Sequence, residues 1–349
     1  VAACSEPPRI EPSAPQVRPS EGYVTSDTCR SCHPSQYASW AASYHSTMTR
    51  AATPATVLGD FDGTVVRGRG HDIALAREGD RFFATVPASD WDGTGTPPTE
   101  TREVVLVTGS HHLQIYWYVT GHSRVLGRLP VAWEIFDERW FPTEDNFIAP
   151  PHPRDAPRTL EYGEWNHGCI QCHVTDPRPK WGGLERTATE ASELGIACES
   201  CHGPADEHVE RMRDPSARYA EHLSDPAERS EQLAIANPTR LPFERRSQVC
   251  GRCHSVWRFR SNEHYAQFMT ERLPFEPGGD LYEQGFAVIA SHRLDPDSFW
   301  SDDEVKPSGR EYNGLLRSPC YAAGELDCYS CHQMHPPGGA DALAAWRNA

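Results

Sequence analysis

Ten of the twelve cysteines fall into five copies of one arrangement, two cysteines separated by two residues and followed at once by a histidine. The copies are Cys29, Cys32 and His33; Cys169, Cys172 and His173; Cys198, Cys201 and His202; Cys250, Cys253 and His254; and Cys328, Cys331 and His332. This is the attachment signature of c-type haem. The two thiols become thioethers on the porphyrin vinyl groups, and the adjacent imidazole binds the iron from one face. Two intervening residues let one short turn set both sulfurs on the ring edge and aim the imidazole at its centre. Zinc sites also use paired cysteines, but zinc gives no reason for a histidine directly after every second cysteine. Disulfides inside such short loops restrict the unfolded chain little. The expectation is therefore five covalent haem c groups.

Each iron needs a second axial ligand or keeps an open face. The motifs use five of 17 histidines, leaving twelve. The expected distal ligands are His45, on a helix after the first motif with Met48 one turn further; His111 and His112, which a strand would point to opposite faces; His208, in a turn at Gly203-Pro204; and His335. His71, His122, His152, His222, His264 and His292 read as surface residues, and His167 stays open. Met48, Met212, Met269 and Met334 are alternative sixth ligands, and a methionine would raise that haem's potential. Of 33 basic residues only Lys180 and Lys306 are lysines. Arginine forks suit carboxylates, so Arg124, Arg128, Arg240 and Arg310 are candidate clamps for propionates; a GC-rich genome would write the same bias. Cys320, outside any motif, reads as a small buried residue.

The elements that hold these groups must come from 349 residues, room for one large or two ordinary domains. The chain is polar, 38% hydrophobic with a mean hydropathy of -0.62, so porphyrins are expected to supply much of the interior. The formal charge of -16 argues against nucleic acid as a partner. No apolar run reaches the roughly 18–20 residues that span a bilayer. Residues 1–22 read as a signal remnant and a mobile Pro-rich tether. There Val1-Ala2-Ala3-Cys4 looks like the end of a bacterial lipoprotein signal, with Cys4 lipidated; an ordinary N-terminus with one spare thiol is the alternative. Residues 23–60 carry the first motif and a helix whose face is lined by Tyr37, Trp40, Ala41 and Tyr44. Residues 61–145 read as a β-rich insertion with strands at Thr64–Val66, Arg81–Val86, Val104–Thr108 and Leu113–Thr120, the run Tyr116-Trp117-Tyr118 being sheet packing. Residues 146–349 hold the other four motifs on short helices, such as Ala205–Arg213 and Pro226–Ile235, and loops. The fold class is thus a multihaem cytochrome c, short α-helices and loops wrapped on covalent haems, with a β-rich insertion between haems 1 and 2.

Cys29–His33 followed by Tyr37, Trp40, Ser43, His45 and Met48 resembles the opening of the multihaem cytochromes c related to the nitrifiers' tetrahaem cytochrome and hydroxylamine oxidoreductase. Gly109-Ser110-His111-His112, Tyr116-Trp117, Trp165-Asn166, Gly195 to Glu199, Cys201 to Pro204, Arg310 to Gly314 and Ser318-Pro319-Cys320 resemble an exported branch of that group, sometimes extended by tetratricopeptide repeats. The resemblance implies mostly bis-histidine haems in close stacked and perpendicular pairs. Longer members carry further motifs, whereas the last one here lies 17 residues from the end.

Three functions follow as expectations. The first is electron transfer between other redox proteins through a chain of close haems, with no catalysis. The second is an oxidoreductase acting on a small nitrogen or sulfur species at one open haem; against it, every motif ends in histidine, whereas the pentahaem nitrite reductases replace the catalytic haem's histidine with lysine. The third is self-assembly into a filament, or a place in a larger membrane redox complex. Covalent haem attachment occurs outside the cytoplasmic membrane, so the expected location is the periplasm or cell surface, with membrane contact through a lipid on Cys4 only.

Overall fold

The computed structural model describes residues 9–68, 71–88, 95–96, 98–143, 162–224 and 233–336. Cys4, His152 and most of the expected Pro226–Ile235 helix lie outside them. The Pro-rich lead from residue 9 is a strap lying on the protein. Ile10 and Ser13 donate backbone N–H groups to Glu185 and Ser123. Strand β1 (Gln16–Val17) then pairs in parallel with Glu190–Ala191. The φ that proline imposes suits an extended chain added to a sheet edge, and Pro15 is buried, so the expectation of a mobile tether fails over this part. Beneath the strap Arg178, Asp176, Ser192 and Ser20 form a buried polar network. Arg18 and Lys180 close on Glu190 at 2.6 and 2.9 Å.

Eight strands form one antiparallel sheet: β2 (Thr49–Ala51), β3 (Val65–Arg67), β4 (Asp72–Glu78), β5 (Arg81–Pro87), β6 (Thr99–Thr108), β7 (Leu113–Val119), β8 (Leu126–Glu134) and β9 (Arg139–Pro142). β3 to β9 follow one another in chain order and β2 pairs with β6. β3 and β9 come alongside each other, so the sheet curls. Period-2 alternation dictates the inner face: Ile73 and Leu75 on β4, Phe82, Ala84 and Val86 on β5, and Tyr116 and Tyr118 on β7 pack in one core with Phe61, Leu129 and Val131. Register shifts between Val104 and Leu106 and between Ile115 and Trp117 re-aim the next residues. Leu106, Trp117 and Leu126 thereby join a second core with Trp165, Ile170, Val174, Phe268 and Phe286. The middle of Tyr116-Trp117-Tyr118 is therefore the bridge from the sheet to the motif-bearing half. Asn166, fully buried, locks this junction, accepting from Leu126 N at 3.0 Å and donating to Arg124 O and Thr189 Oγ1, each at 2.8 Å.

The other half is short helices and turns. The helix after the first motif, Pro34–Ala41, carries Tyr37, Trp40 and Ala41 but ends there. His45 and Met48 are thus not on it, contrary to expectation. The Ser43 and Ser46 hydroxyls donate to Trp40 O and Ala41 O, the local competition that ends helices at serine. His111 and His112 lie in the turn between β6 and β7, not in a strand, so their rings sit together at 3.8 Å between centroids. His208 lies on the helix Asp206–Arg213 beyond the Gly203-Pro204 turn. Cys320 is exposed on the helix Pro319–Ala322, not buried. No helix among the described residues is long and apolar enough to cross a membrane.

Candidate functional site

Each motif sits where a helix or turn ends. The first begins in the helix Ser26–Arg30, which carries Cys29, the second runs from the last residue of the π-turn Trp165–Cys169 through Ile170–His173, and the third is the helix Cys198–His202 stopped by Gly203 at φ 83°. The fourth ends the twelve-residue helix Phe243–His254. The fifth is a 3-10 turn whose capping box joins Asp327 and Ser330.

The turns meet in a repeated way. Cys198 N donates to the Ser26 hydroxyl at 3.4 Å, and Cys328 N to the Ser247 hydroxyl at 3.2 Å. Ser26 and Ser247 each stand three residues before the first cysteine of their own motif. At these two junctions the Sγ atoms of Cys29 and Cys198, and of Cys250 and Cys328, are in hydrogen-bond contact. A third junction joins motifs two and four: Cys172 and Cys253 are in sulfur contact, and Arg252 Nη1 donates to Gln171 O at 2.6 Å. Motif four touches motifs two and five, and Cys201 of motif three lies within electrostatic reach of Cys253.

Three motif histidines face a second histidine. His33 and His208 have ring centroids 6.4 Å apart, His202 and His335 also 6.4 Å, and His254 and His45 6.2 Å. Two metal–imidazole bonds of about 2 Å and two ring radii of about 1.2 Å span about 6.4 Å, so the spacing fits one iron between each pair. The outer nitrogens agree. Nδ1 of His208 bonds Leu233 O, that of His202 bonds Ala236 O, that of His335 the Ser39 hydroxyl and that of His254 Glu311 Oε2, at 2.8 to 3.1 Å. Such second partners fix the tautomer and leave Nε2 for a metal. Burial first, then His254 and His332, pushes His45 down to about 4. Burial also lowers His33, His202 and His335, keeping them as the neutral imidazoles that metals bind. Glu311 raises His254.

The positioning of His45 is backbone work. Ile196 N donates to His45 O at 2.9 Å, and Trp40 Nε1 to Ile196 O at 2.8 Å. Gly195, at φ 74°, passes so close that a Cβ would stand 2.7 Å from Ser46 O. The run Arg310 to Asn313 braces motif four: Arg310 bonds Cys253 O, Glu311 bonds His254, the Tyr312 ring lies where a Gly251 Cβ would be, and Asn313 bonds Val256 N and Ile289 O.

The remaining candidates go elsewhere. Among the described residues no histidine ring faces His173 or His332. His173 is half-buried, pushed down to about 4 by desolvation and then by Arg310 and His254, with its Nδ1 buried and unpartnered. His111 and His112 pack on Tyr44 and Phe136, and neither stacks on a motif histidine among the described residues. His167 sits edge-on to Trp181. Arg124 and Arg128 are engaged by Glu190 at 3.7 Å and Glu164 at 3.2 Å. Arg252 and Glu311, absent from the sequence expectations, were hidden as ordinary charged residues beside a motif and in Arg310-Glu311-Tyr312-Asn313.

The five motifs thus sit on short helices and turns, with motif two packed into the second core. Residues 28–57 and 155–203 match the family model described as cytochrome c554 and c-prime. The outer cell wall cytochrome OcwA has a similar fold, with a TM-score of 0.52 at 16% identity over 85% of this chain, which spans 51% of that one. An undecahaem cytochrome from the S-layer of Carboxydothermus ferrireducens gives a TM-score of 0.37 at 16% identity over 92% of this chain and 41% of its own. No curated protein matches. The family match supports a cytochrome c, and so covalent haem c, over the residues it covers, and the OcwA likeness shows a similar fold; neither singles out the nitrifier group.

Proposed function

We propose that this chain binds five haem c groups and carries electrons between redox partners outside the cytoplasm. The observation that carries the reading is the three facing histidine pairs at 6.2 to 6.4 Å, each joining a motif histidine to one from elsewhere in the chain. In this reading the ten motif cysteines hold the porphyrins, and His33, His173, His202, His254 and His332 are proximal ligands. His208, His335 and His45 are distal ligands to the haems of motifs one, three and four. Each haem supplies a one-electron Fe(III)/Fe(II) couple when bound. The chain's part is to seat the imidazoles, fix their tautomers and bring the attachment turns into contact. Sulfurs that touch across motifs place the attached ring edges within a few bonds of each other. Such contacts join motif one to three and motif four to both two and five, and Cys201 within electrostatic reach of Cys253 links three to four.

The names of the two similar structures, outer cell wall and S-layer cytochromes, favour a cell-surface setting. A lipid on Cys4 would hold the chain to a membrane surface. Partners are other redox proteins, and end-to-end assembly into a filament or larger complex extends the same path. Anaerobic titration with dithionite tests the reading: five electrons per chain with a mainly low-spin spectrum support it, and a protein that neither accepts nor donates electrons refutes it.

A second reading rests on His173, whose buried Nδ1 has no partner and which has no facing histidine among the described residues. An open iron there would suit an oxidoreductase acting on a small nitrogen or sulfur species. A high-spin ferric signal that shifts on adding nitrite or sulfite supports it; an entirely low-spin spectrum removes it.

A further inference from the structure

Arg252, between the two cysteines of motif four, is only 4% exposed. Its guanidinium donates to Gln171 O of motif two at 2.6 Å and stands 6.0 Å from the Phe275 ring. The titratable groups that act on it most strongly are Cys253, Cys172, Cys201 and Tyr23, so it lies where motifs two, three and four converge. Among the described residues it has no carboxylate at ion-pair distance. The acids that share its cavity are Asp176 and Glu199. Asp176 is taken up by Arg178, Ser20 and Ser192. Glu199 accepts from Val24 N and Ala205 N, and burial pushes it up to about 8, so it is uncharged at neutral pH. The neighbouring cysteines become neutral thioethers once haem is attached. A second cation, Arg310, donates to Cys253 O at the same junction and also lacks an ion-pair carboxylate among the described residues. Glu311 acts in the opposite sense on His254, but its side chain is 72% exposed and water screens it.

A buried charge without a counterion is costly to keep, and in a chain of net charge -16 an anion would be easy to find. We propose that Arg252, assisted by Arg310, raises the reduction potential of the haems on motifs two and four and makes that junction the electron sink of the array. Reduction of Fe(III) to Fe(II) adds one electron and releases no group, so a fixed positive charge nearby favours the reduced form; net charge and burial are the levers that set such potentials. The inference rests on the haem reading above and fails separately from it.

The test is spectroelectrochemical titration of the purified holoprotein and of Arg252→Met, Arg252→Lys and Arg310→Met, each with its haem count fixed by intact mass. At the potential where the highest component of the parent is half reduced, Arg252→Met should show at least a tenfold lower reduced-to-oxidised ratio, a 59 mV shift for a one-electron couple. Arg252→Lys should stay near the parent. An Arg252→Met curve that superimposes on the parent, with five haems and an unchanged ligation spectrum, overturns the proposal. Should Arg252→Met fail to mature, Arg310→Met decides: a shift in the same direction supports the proposal and an unmoved curve overturns it. A parent without haem sinks the underlying reading instead.

Discussion

Replacement of His208 by alanine probes the ligand assignment with little cost to the fold. The helix that carries it, Asp206–Arg213, buries no residue, and the ring makes one hydrogen bond, to Leu233 O at 2.8 Å. Losing such a bond costs about 0.5–1.5 kcal/mol, too little to unfold a chain stapled by covalent cofactors. The ring is also the one facing His33 at 6.4 Å, so its removal should leave a single iron five-coordinate. One haem's share of the low-spin ferric signal should convert to high spin, about a third if only the three paired haems are low-spin and about a fifth if all five are. The assay is low-temperature EPR with the optical charge-transfer bands as a check, on protein whose haem count equals the parent's. His335→Ala and His45→Ala should each convert a similar share, while His264→Ala, whose ring bonds Ser261, should convert none. A fully low-spin His208→Ala protein would refute the pairing and the reasoning from ring spacing behind it.

Gly195→Ala places a Cβ 2.7 Å from Ser46 O and 3.1 Å from His45 O at a φ of 74°, a conformation that costs an L-residue about 1–2 kcal/mol; it should displace His45 and produce a high-spin fraction resembling that of His45→Ala, read by the same EPR assay. Gly251→Ala drives a methyl into the Tyr312 ring at 2.6 Å and should lower stability by about 1–3 kcal/mol, measured by thermal melts followed in the Soret band. Glu199 is pushed up to about 8 by burial, above an unfolded value of 4.5, so the folded protein binds the extra proton between these values. Stability should therefore fall as pH rises from about 4.5 to 8 and level off above. Glu199→Gln, which keeps an acceptor for Val24 N and Ala205 N, should flatten that fall in melts taken from pH 5 to 8.

The proposed chemistry rests on a local signal: five motifs of fixed spacing point to haem whatever surrounds them. Period-2 alternation likewise exposed β5 and β7. It failed for β8, whose Leu126 faces one core while Leu129 and Val131 face the other, so no single alternation marks the strand. The facing histidine pairs could not be read because they are long-range. His335 lies three residues from His332, yet faces His202. His45 follows motif one, yet reaches motif four because Ile196 and Trp40 fix its loop. His111 and His112 were assigned to a strand, but Gly109 at φ 93° turns the chain just before them. The Pro-rich lead looked free because composition reports stiffness and not the edge at Glu190–Ala191 that accepts it. Arg252 carried no signal at all, since nothing in a sequence tells a buried guanidinium from a solvated one.

The most direct test of the account is the intact mass of the mature holoprotein, read with its pyridine haemochrome spectrum. Five haem additions per chain, all lost together with colour when the ten motif cysteines are replaced, is the result expected here. A chain of unmodified mass, or one whose additions do not track those cysteines, would contradict it.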